Sequence, residues 1–266
     1  IIPFGHDSSV KTTDIYQEMG ITTKFNFLTV AQRAPRKNLE KMLLWFLREF
    51  GDNEEVGLVI KSHTQNSSTG DFYNTRAFLR TYLDHLNSNR KCKFYLTHGK
   101  FSEERMLSLY NPEYINCYIT ATHGEGFGIP VFNAACAGIP IVATNWSGHL
   151  DYLRMPVENK SGKKQIKSQF VKVNYDIKKV EQKHLMPGLI TEDCEWAYPK
   201  EQSFRQGLRQ VYSQSDQFVE SSKQLSEFLK NKYDISEIHN MYIDFVNTHL
   251  DTVTSDTNND QSTFYL

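Results

Sequence analysis

The 266 residues carry 30 Lys plus Arg against 31 Asp plus Glu, so the chain is close to neutral overall. That balance supplies no global attraction to nucleic acid or to an anionic membrane. No apolar run approaches the roughly 18 residues that a spanning helix needs, while the length allows one large domain or two small ones with a substantial core.

The chain opens Ile-Ile-Pro rather than with Met, and so reads as processed, trimmed or part of something longer. No charged-then-apolar leader opens it. The four cysteines, Cys92, Cys117, Cys136 and Cys194, show no CxxC pairing. Cys117 and Cys136 lie in apolar runs and read as small buried hydrophobes. A reducing cytoplasm is the natural setting for that usage.

Helix and strand periods alternate from Phe25 onward. Phe25 to Val30 is a short apolar run with aromatic and β-branched content, predicting a strand. After a turn at Pro35, the apolar residues Leu39, Met42, Leu43, Phe46, Leu47 and Phe50 recur at helical spacing, and Gly51 marks the end. Val56 to Ile60 predicts a second strand, Phe72 to Leu86 a helix, and Phe94 to Thr97 a third strand. Ser102 caps a helix whose first turn carries Glu103 and Glu104, where acidic groups suit the dipole. Tyr114 to Ala121 predicts a fourth strand, Ile129 to Ala137 a helix, and Ile139 to Ala143 a fifth strand. This alternation implies βαβ units, hence an α/β fold with a doubly wound, Rossmann-like parallel sheet flanked by helices.

Beyond Tyr152 the pattern changes. Glu158 to Lys172 is polar and Lys-rich, either a loop or an irregular hairpin. Val171 to Ile177 alternates as a strand would, and Glu195 to Pro199 reads as a turn into a helix from about Glu201. Further helices are expected near Asp216–Lys230 and Ile235–Leu250, then a frayed polar tail from about Thr252. No repeat or linker divides the chain, so residues 1–250 form one domain with closing C-terminal helices, and 251–266 a flexible tail.

The most informative segment is Thr122-His123-Gly124-Glu125-Gly126-Phe127-Gly128-Ile129-Pro130. It follows an apolar strand and opens a helix. Its three alternate glycines allow positive φ and close approach of a ligand. Pro130 suits the first helical turn, and the free N–H groups there, with the helix dipole, make an anion site. A tight βα turn whose glycines serve geometry alone is the competing reading. Glu125 fits that one poorly, and it would repel a bare phosphate, but it suits sugar hydroxyls as an acceptor. Asn133 stands in the first turns of the same helix, within reach of the same ligand or bonded locally.

Gly124 to Pro130, with Ala135, Gly138, Ile139-Pro140-Ile141-Val142-Ala143-Thr144 and Ser147-Gly148, resembles the donor-binding half of retaining GT-B glycosyltransferases, nearest the family-4-like glycosyltransferases group 1. Ile2 to Asp7 resembles the entry to that domain. Phe27 to Val30 with Arg36-Lys37-Asn38 resembles its first strand and basic turn. Thr97-His98-Gly99 with Ser102 to Glu104, and Trp196 to Pro199, resemble later parts, in the same order, over roughly Ile1 to Tyr212.

The resemblance implies transfer of a sugar from a nucleoside diphosphate sugar, with retention and with no separate cofactor or metal. Two basic side chains hold the diphosphate. Lys37 matches one; strict alignment puts Gln32 at the other, with Arg33 or Arg36 as substitutes. Lys37, Arg36 and Glu125 are therefore the expected catalytic set. Arg33, His123, Gly124, Gly126, Phe127, Gly128, Ile129 and Asn133 are expected to line the donor, with Phe101 near the base. Asn133 replaces a ribose-holding Glu, and an amide binds a hydroxyl less strongly. His63, His98 and His149 read as ordinary polar or packing residues, and His123 beside Glu125 is the exception worth testing. The acceptor is unspecified, and an N-terminal acceptor domain is expected outside this sequence. A non-catalytic sugar-nucleotide-binding module and a GT-B-like epimerase are the alternatives; nucleic-acid binding ranks last.

Overall fold

The computed structural model describes residues 3–10, 14–159 and 161–256, with side chains as far as 249. Ile2 and residues 257–266 of the expected tail lie outside the described residues. The elements run α1 (Tyr16–Met19), β1 (Phe25–Val30), α2 (Leu39–Phe50), β2 (Val56–Lys61), α3 (Thr69–Leu86), β3 (Lys93–Thr97), α4 (Glu103–Leu107), β4 (Cys117–Thr120), α5 (Ile129–Cys136) and β5 (Ile141–Thr144). Then come β6 (Arg154–Glu158), β7 (Lys164–Ser168), β8 (Val171–Val173), β9 (Tyr175–Lys179), β10 (Glu195–Pro199), α6 (Glu201–Ser213), α7 (Ser215–Lys232) and α8 (Ile235–Asp256).

Six strands form one parallel sheet in the order β3-β2-β1-β4-β5-β8. Alternate residues of each strand feed opposite layers. Leu28, Val59, Tyr118 and Ile141 pack toward α5 and α7, whereas Phe27, Leu58, Cys117 and Val142 pack toward α2, α3 and α6. Both faces are covered, which is why these strands read as nearly unbroken apolar runs. Phe27 is fully buried and meets Phe46 and Phe50 of α2. Burying a side chain of that size contributes about 3 kcal/mol.

The strand order reverses direction between β1 and β4. In such sheets the loops at the carboxyl ends of the two central strands part there and leave a crevice. The turn after β1 and the glycine loop after β4 are those two loops. Asn38 ties them together: its backbone takes a left-handed φ of 53°, which Asn tolerates, and its amide donates to the Ala121 carbonyl at 2.9 Å.

Several boundaries depart from the sequence reading. Tyr114 and Ile115 donate to the Asn111 carbonyl in a turn, so β4 starts later, at Cys117. Ile139 donates to Ala134 at the end of α5, so β5 begins at Ile141. The expected strand Val171 to Ile177 is two strands. Val171–Val173 closes the main sheet, and Tyr175–Lys179 pairs antiparallel with Glu195–Pro199, which is a strand rather than a turn. Asn174 sits at the break, held by the Ser203 hydroxyl and Lys200 N–H. Of the two readings for Glu158 to Lys172, the hairpin holds, as β6 and β7. Helix α8 reaches Asp256, past the expected fraying point. Among the described residues no helix is long and apolar enough to cross a membrane.

Candidate functional site

The turn after β1 is a short 3-10 turn, Pro35–Lys37, that swings Arg36 and Lys37 across the crevice toward the loop after β4. The Arg36 carbonyl accepts from the His123 N–H at 2.9 Å and the Thr122 hydroxyl at 3.2 Å. The Arg36 guanidinium donates to the Gly124 carbonyl and stands 3.3 Å from the Glu125 carboxylate. Lys37 Nζ stands 2.7 and 2.8 Å from the two Glu125 oxygens. The Glu125 side chain is only 9% exposed, against 18% for Lys37 and 42% for Arg36. The crevice thus holds one nearly buried carboxylate between two cations, with net positive charge.

A second loop, after β5, braces Glu125 from below. The Glu125 N–H donates to the Ser147 hydroxyl at 2.7 Å, and the Glu125 carbonyl accepts from the Gly148 N–H at 3.1 Å. Ser147 holds φ at +78° and ψ at −167°, a region used almost only by glycine. A side chain there is strained by about 1–3 kcal/mol. Gly148 packs so closely that a Cβ would stand 1.7 Å from the Gly126 carbonyl oxygen.

Helix α5 starts at Gly128, whose φ of 84° makes it the single glycine of the three in this loop with a left-handed backbone. Among the described residues no side chain caps the helix. The Gly126, Phe127, Gly128 and Ile129 N–H groups have no hydrogen-bond partner among the described residues. The Tyr152 hydroxyl instead fixes the loop, standing 3.0 Å from the Phe127 carbonyl and 2.9 Å from that of Gly128. The Phe127 ring packs on Phe132 and Tyr152. The arrangement offers an anion a fan of free donors, two flanking cations and, beside them, an acceptor for hydroxyls.

Of the basic alternatives, Arg36 is the one beside Glu125. Gln32 donates to the Thr64 carbonyl, and Arg33 pairs with Glu40 at 3.3 Å and lies over the Phe78 ring. His123 is buried and turned to the far side of the 3-10 turn, where its ring stacks on Trp196. Asn133 is half-buried in α5 and borders a cavity of about 230 Å³ with His6, Tyr110 and Lys230. Phe101 lies on the loop after β3, beneath Lys61 and Arg105. His98 is buried against Asp71 at 3.2 Å. Ser147, Gly148 and Tyr152 shape the site without having been assigned a part in it. The Ser147-Gly148 pair was visible as a motif, but nothing local marks Tyr152.

Residues 12–168 match the model of the family described as glycosyl transferases group 1. The chain belongs to that family. No curated protein sequence matches it. The C-terminal domain of a group 1 glycosyl transferase, LpcC from Francisella tularensis, is 15% identical, with a TM-score of 0.57 over 87% of this chain and all of that one. Sucrose-phosphate synthase from Thermosynechococcus elongatus is 11% identical, with a TM-score of 0.60 over 94% of this chain and 52% of its own. Anabaena HepE, solved with UDP and glucose, is 12% identical, with a TM-score of 0.59 over 92% of this chain and 55% of its own. This member of the family therefore has the fold of a GT-B C-terminal domain, and it spans about half the length of the two longer proteins.

Proposed function

We propose that this chain is the donor-binding half of a retaining glycosyltransferase that takes its sugar from a nucleoside diphosphate sugar. The observation that carries the reading is the convergence of Arg36 and Lys37 on Glu125 beside the free N–H groups of Gly126 to Ile129. As the glycosidic bond breaks, the leaving diphosphate gains negative charge. Lys37 and Arg36 stabilise that charge, and the uncapped start of α5 adds donors that need no reorganisation. Glu125 accepts from hydroxyls of the donor sugar. A donor entering the crevice replaces the Lys37–Glu125 pair with two matched contacts, hydroxyl to carboxylate and ammonium to phosphate. The donor is a substrate; the scheme uses no separate cofactor. HepE carries UDP in its own structure, which makes UDP-sugars the first donors to try. The free cysteines support a reducing, cytoplasmic setting.

Binding without turnover is favoured by one observation. Asn133 stands where the resemblance implies a ribose-holding Glu, and it borders the separate cavity with Tyr110. The test for either reading starts with thermal unfolding in the presence of millimolar UDP-, GDP- and ADP-sugars. Selective protection by one of them supports a donor site, and sugar transfer then separates enzyme from binding module. Absence of protection by every one of them would sink both.

A further inference from the structure

A second cavity, of about 330 Å³, lies on the other side of the Pro35–Lys37 turn. Arg33, Pro35 and the first turn of α2 form one wall, and His123, Lys183 and Tyr198 form the other. Pro35 faces this cavity, whereas Arg36 and Lys37 face Glu125, so the two sites share a wall without sharing lining side chains.

Three observations bear on what it holds. Helix α2, twelve residues long, begins at Asn38 with no side-chain cap among the described residues; the Asn38 side chain is turned instead to the Ala121 carbonyl, to which its Nδ2 donates. The Leu39, Glu40 and Lys41 N–H groups, which cannot bond within the helix, have no partner elsewhere among the described residues. They open at the cavity wall.

The second is His123, 5% exposed. Its Nδ1 stands 2.7 Å from the Ala197 carbonyl, which can only accept, so Nδ1 carries the proton. Nε2 then has a lone pair and no hydrogen-bond partner among the described residues. The ring is pinned on Trp196 at 5.2 Å and Tyr198 at 4.5 Å, so its free edge stays at the cavity. Burial holds the imidazole below its ordinary pKa, and Lys41 and His184 act in the same direction against the Ala197 hydrogen bond and Glu181. It is a neutral acceptor near neutral pH.

The third is charge. Arg33 is paired with Glu40 at 3.3 Å and Lys183 with Glu181 at 2.7 Å. Lys41 forms no direct ion pair among the described residues, although it lies close enough to Glu181 to attract it and stands over the Tyr198 ring, and it leaves the lining net positive.

An anion that carries no O–H satisfies the helix start and Lys41 but leaves Nε2 facing more lone pairs. A hydroxyl donor alone leaves the N–H fan unmet. We propose that this cavity is a second ligand site, separate from the donor loop, for a small hydroxylated phosphate monoester whose phosphate meets the start of α2 and Lys41 and whose hydroxyl donates to His123. The phosphate accepts from the N–H fan, as anions do at helix N-termini, and the cavity lies in the size range of small-molecule sites.

Titration calorimetry of the full chain with glycerol 3-phosphate tests this against inorganic phosphate and glycerol. The expected result is saturable binding of glycerol 3-phosphate, tighter than that of either fragment. Lys41→Ala should weaken it about tenfold or more, since a charge-assisted contact contributes about 1.5–3 kcal/mol. The Lys41 side chain is exposed, so the variant should fold, and Lys183→Ala, which removes a second wall cation, provides an independent check. Lys37→Ala should leave this binding unchanged, which separates the site from the donor crevice whether or not the donor reading holds. Three outcomes overturn the proposal: no heat at millimolar glycerol 3-phosphate, equal affinity for inorganic phosphate, or loss of binding in Lys37→Ala rather than in Lys41→Ala.

Discussion

Lys37 and Glu125, 88 positions apart in sequence, form a two-point ion pair with Nζ 2.7 and 2.8 Å from the carboxylate oxygens. The pair joins the loop after β1 to the loop after β4, across the point where the sheet reverses its strand order. Its two members are unequally buried, and that inequality sets what each contributes.

Removing Lys37 leaves a carboxylate that is 9% exposed with only the more distant Arg36 for compensation. Lys37→Ala should therefore destabilise the fold by about 1–3 kcal/mol, the cost of an unsatisfied buried group. Glu125→Gln keeps an uncharged acceptor beside Lys37, and Arg36 is 42% exposed, so it should cost less, about 1 kcal/mol. Urea unfolding of both variants checks the order. A larger loss in Glu125→Gln would contradict the burial argument.

The glycines separate in the same way. Gly148→Ala drives a Cβ into the Gly126 carbonyl at 1.7 Å, with backbone on both sides and nothing flexible to yield. A loss of about 3 kcal/mol is expected, the upper end for overpacking. At Gly124 a Cβ meets nothing nearer than the Ser147 hydroxyl at 3.8 Å, so Gly124→Ala should unfold within about 0.5 kcal/mol of the wild type. Comparable losses in the two variants would show that the loop is not held as described.

Ser147 divides stability from function. Its φ of +78° suits glycine, so Ser147→Gly relieves strain of about 1–3 kcal/mol. The same change removes the hydroxyl that fixes the Glu125 N–H at 2.7 Å, costing about 1 kcal/mol. The variant should melt at or above the wild-type temperature yet bind donor more weakly. A variant that loses both properties, or neither, would refute this division.

Acid stability follows from two buried imidazoles. His149 has no exposed surface; its Nε2 lies 2.7 Å from the Thr144 carbonyl, and its Nδ1 has no partner among the described residues. Burial holds the pKa of His149 below 6.5, against the opposing pull of Thr144, Glu125 and Asp151, and burial lowers His123 likewise. A His with a folded pKa below its unfolded value is neutral when folded, so the unfolded chain takes up protons first as pH falls past about 6.5. Stability should be level above that pH and decline below it, and His149→Gln should flatten the decline. Melting temperatures recorded between neutral and mildly acid pH test this; a rise on acidification would reverse the sign.

The sheet was legible where one period dominated. Phe25–Val30 and Leu39–Phe50 fall where their apolar spacing predicts, because those residues fill the interior whatever their neighbours do. Val171 to Ile177 kept its alternation through Asn174, yet the chain leaves the main sheet there for a tertiary reason, the hold of Ser203 and Lys200. Glu125, Lys37 and the glycine loop were visible as types and spacing. Arg36 was in the expected set too, but that it, rather than Gln32 or Arg33, stands beside Glu125 depends on how the Pro35–Lys37 turn is aimed. Likewise, nothing in the neighbourhood of His123 in sequence announces that its ring packs on Trp196 and Tyr198 of β10.

The most direct measurement is calorimetric titration of the full chain with UDP-glucose, then with GDP- and ADP-sugars, in the wild type and Lys37→Ala. A donor site in this crevice should give one binding site per chain for at least one donor, weakened about tenfold or more in Lys37→Ala by loss of a charge-assisted contact. Binding that is indifferent to Lys37, or no binding of any of these donors at millimolar concentration, would contradict it.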